Sequence, residues 1–308
     1  MKPTRLSFFN EQDSPDLTEL VSDATVTSQL RALGAHVTIG LRDLSDERAM
    51  AVKRFASEGI PVGAWLLLPR DQGYFATYDN VDAVEARVEA VLRWAERHQL
   101  AFTSLGLDFE PDLRELDRLF IDPLKTMAGW ARRANDRTRR ARALDRYQAL
   151  ITRLQSAGWR IEAYQFPLLL EDRAAGSHFL QRVSSSLDVP VEREVMMTYS
   201  SLFGPLGPGL VEAWTRAAGA VAVAVGSTGG GIDPLPKLSF DELSRDLRLA
   251  ARGCADVSIF SLEGCVMNGH LPRLIDFDWE APVNMPLHQR VGAASIRSSV
   301  RFIARVFR

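Results

Sequence analysis

Residues 81–110 read VDAVEARVEAVLRWAERHQLAFTSLGLDFE, and this one stretch holds both repeating parts of the fold. In its first half Val84, Val88, Val91, Leu92 and Ala95 fall on one face of a helix, the spacing of an element that packs one side on a core. Its second half is a short apolar run, as expected of a strand covered on both faces. The same alternation extends in both directions, with apolar runs at 5–9, 36–41, 61–68, 103–109, 160–166, 194–199, 220–225 and 257–262. Short runs separated by longer helix-patterned segments predict a parallel sheet covered by helices. Gly59, Gly158 and Gly219 stand where a helix should stop before the next strand. Eight units, with no GxGxxG after the first run, favour a closed (β/α)8 barrel of the α/β class, a TIM barrel, over an open doubly wound sheet.

Barrels of this kind use about 250 residues as one domain, so a single domain is expected over the 308 residues. The hydrophobic fraction of 46% and charged fraction of 25% are those of a globular chain. The longest insert, 112–157, is predicted to hold two helices meeting around 135–140, and its charge-dense part, 132–142, reads as a solvated helical face. In the final segment, 287–308, Ile296, Val300, Ile303 and Phe307 share a face from which Arg297, Arg301, Arg305 and Arg308 are largely excluded. This pattern predicts an eighth helix packed on the barrel; a basic helix lying on a membrane surface is the other reading.

A net charge of -2, without a basic run interleaved with aromatics, argues against nucleic acid as a partner. Two cysteines, Cys254 and Cys265, are too few for a disulfide scaffold. No run approaches the roughly 20 apolar residues of a spanning helix. The start, MKPTRLSFFNEQDSPD, lacks the apolar core of a signal peptide, so a cytoplasmic location is expected. The five histidines show no HxH or HExxH spacing, and no cofactor or metal is expected. There is no GxSxG elbow and no motif around either cysteine. The sequence does not specify an oligomeric state.

Catalytic groups of such barrels sit at the carboxyl ends of the strands, which here offer Asn10, Asp43, Asp79, Asp108 with Glu110, Gln165, Tyr199, Ser227 and Glu263. Asp108 and Glu110 are two apart and therefore project to the same side of their strand. Two carboxylates so close cannot both ionise easily, and a protonated Glu is what a glycosidic oxygen needs as general acid. Glu263 is a candidate second carboxylate, for retention at about 5–5.5 Å from Glu110 or inversion at about 6.5–9.5 Å. Trp65, Tyr74, Phe75, Tyr78, Tyr164 and Tyr199 are candidates to stack on sugar rings, and Asn10, Asp79 and Gln165 to hydrogen-bond them. The glycine-rich stretch 226–231 lies where many barrels cradle a phosphate, although it brings no lysine or arginine.

The stretch Gly106-Leu-Asp-Phe-Glu resembles the end of the DxxDxDxE motif of the chitinase-like family 18 glycosidases, and Met197-Thr-Tyr-Ser resembles their MxYD on the sixth strand. The resemblance implies Glu110 as acid, Asp108 orienting a substrate acetamido group that acts as nucleophile, and Tyr199 hydrogen-bonding that group. It also implies an N-acetylhexosamine-containing glycan as substrate. Thr103 and Gly106 stand where the family has two earlier aspartates, Ser200 replaces the aspartate after the tyrosine, and Phe260 lies on the strand that usually ends near a tryptophan. More distantly, the Asp-x-Glu is similar to that of the family 25 lysozyme-type barrels. The expectation is a glycoside hydrolase-like enzyme with a carbohydrate substrate. The alternatives are a sugar-phosphate isomerase or aldolase-type barrel using 226–231, and a barrel that binds a glycan or a protein without turnover.

Overall fold

A computed structural model describes residues 2–134, 136–224 and 237–308. The eight runs form eight parallel strands: β1 (Arg5–Asn10), β2 (His36–Leu41), β3 (Val62–Leu66), β4 (Leu105–Phe109), β5 (Ile161–Gln165), β6 (Arg193–Met197), β7 (Ala220–Ala224) and β8 (Asp256–Phe260). They pair in chain order, and β1 also pairs with β8, so the sheet closes into a (β/α)8 TIM barrel. Leu30, Phe55, Val88 and Ile151 bring the apolar faces of the covering helices against the outer faces of the strands. Helix boundaries follow local chemistry: Ser45 accepts from the Arg48 amide to start Asp46–Ser57, and Ser239 with Glu242 forms a capping box for Phe240–Gly253.

Alternate strand residues face the barrel axis. Phe9, Trp65, Tyr164 and Phe260 meet there edge to face, with Phe9 and Tyr164 ring centres 4.9 Å apart. Four large rings fit only because small residues face them. A Cβ on Gly106 would lie 2.1 Å from Tyr164 Oη, and one on Gly40 would lie 3.3 Å from the Trp65 indole. Beneath the rings the amino end is plugged by charge: Arg193 bonds Glu162 at 2.7 Å and Asp256 at 2.6 Å, and Arg5 reaches Glu162 at 3.1 Å. The buried Glu162 and the half-buried Asp256 thus each have a cationic partner, the condition for such a cluster to be tolerated.

The insert after β4 holds three helices, Leu113–Ile121, Pro123–Ala134 and Arg137–Ser156, in place of the two expected. The extra break falls at Asp122, whose backbone leaves the helical region at φ -139° and ψ 77°. The terminal helix, Leu287–Val306, also departs from expectation. A short helix, Leu262–Met267, follows β8, and Leu287–Val306 packs on the helices after β5 and β6, Leu168–Ala175 and Gly207–Thr215. The contact is made by small residues: Ala293 and Ala304 are buried, and a Cβ on Gly209 would lie 2.3 Å from the Gln289 carbonyl. Of the expected stripe, Ile296 and Val300 pack inward while Ile303 and Phe307 are exposed.

The reason for this rotation is Glu171, which is fully buried. It accepts from Trp214 Nε1 at 2.8 Å and Arg297 Nε at 2.5 Å, and Arg301 holds its other oxygen. Two arginines expected on the outer face are therefore drawn inward by one buried carboxylate. Glu171→Gln, which keeps an acceptor but loses the charge, should lower stability by roughly 1–3 kcal/mol; the urea midpoint measures it. Among the described residues no helix is long and apolar enough to cross a membrane, and both cysteines are buried and free.

Candidate active site

At the carboxyl end of the strands a cavity of about 340 Å³ opens above the aromatic layer. Phe9, Trp65, Tyr164 and Phe260 line it from the strands, and Leu116 and Trp130 bring the insert helices to it. Among the described lining residues the carboxyl groups are those of Glu11, Asp108 and Glu110, exposed by only 1%, 2% and 8%.

Asp108, one residue before the end of β4, faces inward, and Glu110 follows on the same side. Burial raises both carboxyl groups above their ordinary values, Glu110 to about 7. For Asp108 the charges of Glu110 and Glu11 push further in the same direction, while the Trp65 indole opposes them. Asp108 Oδ1 and Trp65 Nε1 are nonetheless buried without a partner of good hydrogen-bond geometry. Such atoms are costly unless something else satisfies them.

Glu11 lies just beyond β1 and is not among the site residues expected from the sequence. It faces inward because Ser7, Phe9 and Glu11 share one parity of the strand, so that alternation is the signal that would have found it. Its carboxyl is pushed up to about 8, chiefly by burial and further by Glu263 and Glu110, against the opposing effects of Tyr74 and Arg42. Tyr74 Oη donates to Glu11 Oε1 at 2.5 Å. Tyr74 itself has φ +69°, an uncommon conformation for a bulky residue, beside Gly73 at φ +105°. The loop is clamped by Ala76, whose amide donates to the Asp108 carbonyl at 2.8 Å, and by Asn80, whose side-chain amide donates to the carbonyls of Gln72 and Phe75.

The raised acids predict a pH dependence of stability. A carboxyl that holds its proton to about pH 8 when folded, but to its ordinary 4.5 when unfolded, stabilises the fold at low pH. That contribution declines above the unfolded value and is lost as pH rises through the folded one. Tm should therefore fall between about pH 5 and 9, and Glu11→Gln should flatten the fall and raise Tm at the alkaline end; calorimetry across that range measures both.

The remaining expected site residues are distributed unevenly. Trp65, Tyr164 and Tyr199 line the cavity, Tyr199 stacked on Phe260 at 6.0 Å. The charges of all three acids, added to burial, raise the Tyr199 phenol well above its ordinary value. Phe75 also lines the cavity, whereas Tyr74 acts behind Glu11. Glu263 stands behind the wall: it accepts from Asn10 Nδ2 at 2.9 Å and from the Glu11 amide at 3.2 Å, so Glu263 and Asn10 fix the start of the Glu11 loop. Tyr78, Asp79 and Gln165 do not reach the cavity. Tyr78 Oη donates to the carbonyls of Gln181 and Ser186, Asp79 is paired with Arg139, and Gln165 exchanges hydrogen bonds with the Leu187 backbone. Ser200 is turned away to Asp246, and the stretch 226–231, with Ser227, lies outside the described residues. Among the described residues no three His, Cys, Asp or Glu side chains are grouped to hold a metal ion.

No family model matches the chain, and no curated protein does. Among solved structures it is similar to a GH18 chitinase from Pseudoalteromonas aurantia, with 9% identity, a TM-score of 0.52, and coverage of 88% of this chain and 98% of that one. An L-ribulose 3-epimerase matches with 14% identity and a TM-score of 0.45, covering 99% of this chain and 96% of that one. A putative alpha-L-fucosidase from Bacteroides thetaiotaomicron matches with 9% identity and a TM-score of 0.49, covering 90% and 97%. At 9% identity the likeness to the chitinase is one of fold, on which many chemistries occur.

Proposed function

We propose that the protein is a glycoside hydrolase-like enzyme in which Glu110 is the general acid. The observation that carries this reading is a carboxyl pushed to about 7, facing an aromatic cavity beside a second buried carboxyl two residues away. Glu110 in its protonated form donates to the glycosidic oxygen as that bond breaks, and the water that then adds to the sugar carbon returns its proton to the Glu110 carboxylate. Asp108 faces the positive charge that develops on the sugar ring, and Glu11 supplies a further carboxyl at the same site. The unpartnered Asp108 Oδ1 and Trp65 Nε1 are satisfied by hydroxyl or acetamido groups of the bound sugar. The resemblance of 106–110 and 197–200 to the chitinase-like family 18 motifs, and the fold shared with a GH18 chitinase, support this reading. Gly106 and Ser200, where that motif has aspartates, serve this fold differently: one makes room for Tyr164 and the other bonds Asp246.

A panel of chromogenic hexosides and N-acetylhexosaminides, assayed for aglycone release, tests the reading. Turnover of at least one glycoside is expected. Turnover of none, with interconversion of ketose or sugar-phosphate isomers instead, would replace it with the isomerase alternative; saturable binding without any turnover would leave a binding barrel.

A further inference from the structure

The cavity has far more apolar wall than one sugar ring can use. Beyond the acids, its sides are built by Leu116 and Trp130 from the insert, Leu168 and Val183 from the segment after β5, and Leu202 and Phe203 from the turn after β6. The polar atoms of the residues around them are turned away. Trp130 Nε1 donates to Glu115 at 2.8 Å, Trp214 Nε1 to Glu171 at 2.8 Å, and Tyr164 Oη to Glu162 at 3.2 Å. Ser184, which also lines the space, donates to the Leu180 carbonyl at 2.9 Å. Among the described lining side chains, Glu11, Asp108, Glu110, the Tyr199 hydroxyl and the Trp65 indole N–H thus form the polar face, and the rest is ring and methyl surface. A sugar hydroxyl buried against such walls would lose its hydrogen bonds to water without replacement, a cost of about 1–3 kcal/mol each.

From this division we propose that the substrate is a glycoside of an apolar, aryl-bearing aglycone. One sugar ring meets the acids, and the aglycone fills the space between the insert and the turn after β6. Flat apolar groups gain from edge-to-face and offset contacts with rings such as Trp130 and Phe203, whereas a second sugar ring would find few hydrogen-bond partners among the described residues there. Phe203, 37% exposed at this wall, is placed to cover the aglycone. The proposal rests on the glycosidase reading for its sugar and on the wall chemistry alone for its apolar part.

Two measurements separate those supports. The first compares benzyl and methyl glycosides of one turned-over sugar, whose alcohols are of similar acidity, so that leaving-group chemistry does not intrude. The benzyl glycoside should have kcat/KM about 10- to 100-fold higher, expressed mainly in KM, as expected for burying a phenyl group. Equal values would overturn the proposal. The second is calorimetric titration with 2-naphthol, which needs no turnover. Compared with wild type, binding should be at least about tenfold weaker in the two variants Leu168→Glu and Leu202→Glu, where a charge enters the apolar wall. If either of the last two fails to fold, the other carries the test, and naphthol affinity unchanged by the charge overturns the proposal. Naphthol binding with the expected pattern but no glycoside turned over upholds the apolar subsite and removes the glycosidase reading. Turnover without any preference for the aryl group does the reverse.

Discussion

Glu110→Gln is expected to lower kcat/KM for every glycoside the protein hydrolyses by about 10²–10⁴-fold, the usual contribution of a positioned general acid. The loss should fall on kcat, with KM little changed, because the amide keeps the shape of the group and loses only the proton it donates. In the wild type kcat/KM should decline as pH rises above about 7, where Glu110 gives up its proton. That alkaline limb should disappear in the variant. Glycosides with acidic leaving groups, which need less protonation, should lose the least. The variant should also be no less stable than wild type above neutral pH, because a buried carboxyl that resists ionisation is a liability there. Equal activity in both proteins across the panel would remove Glu110 from the chemistry.

Gly106→Ala is expected to destabilise the protein by about 3–5 kcal/mol, well beyond the usual cost of one added methyl group. The added carbon would stand 2.1 Å from Tyr164 Oη and 2.4 Å from Cζ, distances no small adjustment relieves. Tyr164 has little freedom to move. It is 1% exposed, meets Phe9 at 4.9 Å on one side and Trp65 at 6.3 Å on another, and its hydroxyl is tied to Glu162. Because Asp108 follows two residues later on the same strand face, the displacement also disturbs the acid pair. The cause is testable by rescue: Gly106→Ala with Tyr164→Leu should be more stable than Gly106→Ala alone, a non-additivity that a purely backbone effect at Gly106 would not produce. Guanidinium denaturation of the four proteins of this cycle measures it.

Much of this architecture was legible in the residues. Strands buried on both faces read as apolar runs, and helices with one buried face read as stripes, so the eight units and the barrel could be counted from 81–110 outward. The inward pair Asp108 and Glu110 followed from strand parity. The same parity, applied to the other strands, separates what was and was not well placed. Tyr164 faces the axis, so Gln165 must face the helices; Phe9 faces the axis, so Asn10 does not and Glu11 does. Tyr78 and Asp79 lie in a loop, where no period constrains direction, and only tertiary contacts decide it. The terminal helix was misplaced for a different reason. Its seat depends on Gly209 and Glu171, far away in the chain, and periodicity within 287–308 reveals neither.

Burial among apolar rings should keep the acid cluster partly protonated near neutrality. Infrared difference spectra of wild type against Glu110→Gln, recorded at about pH 6, below the value near 7 to which Glu110 is pushed, measure this directly. A protonated-carboxyl band is expected in the wild type, lost in the variant and titrating away on the alkaline side of neutrality. A spectrum at that pH showing only ionised carboxylates at this site would contradict it.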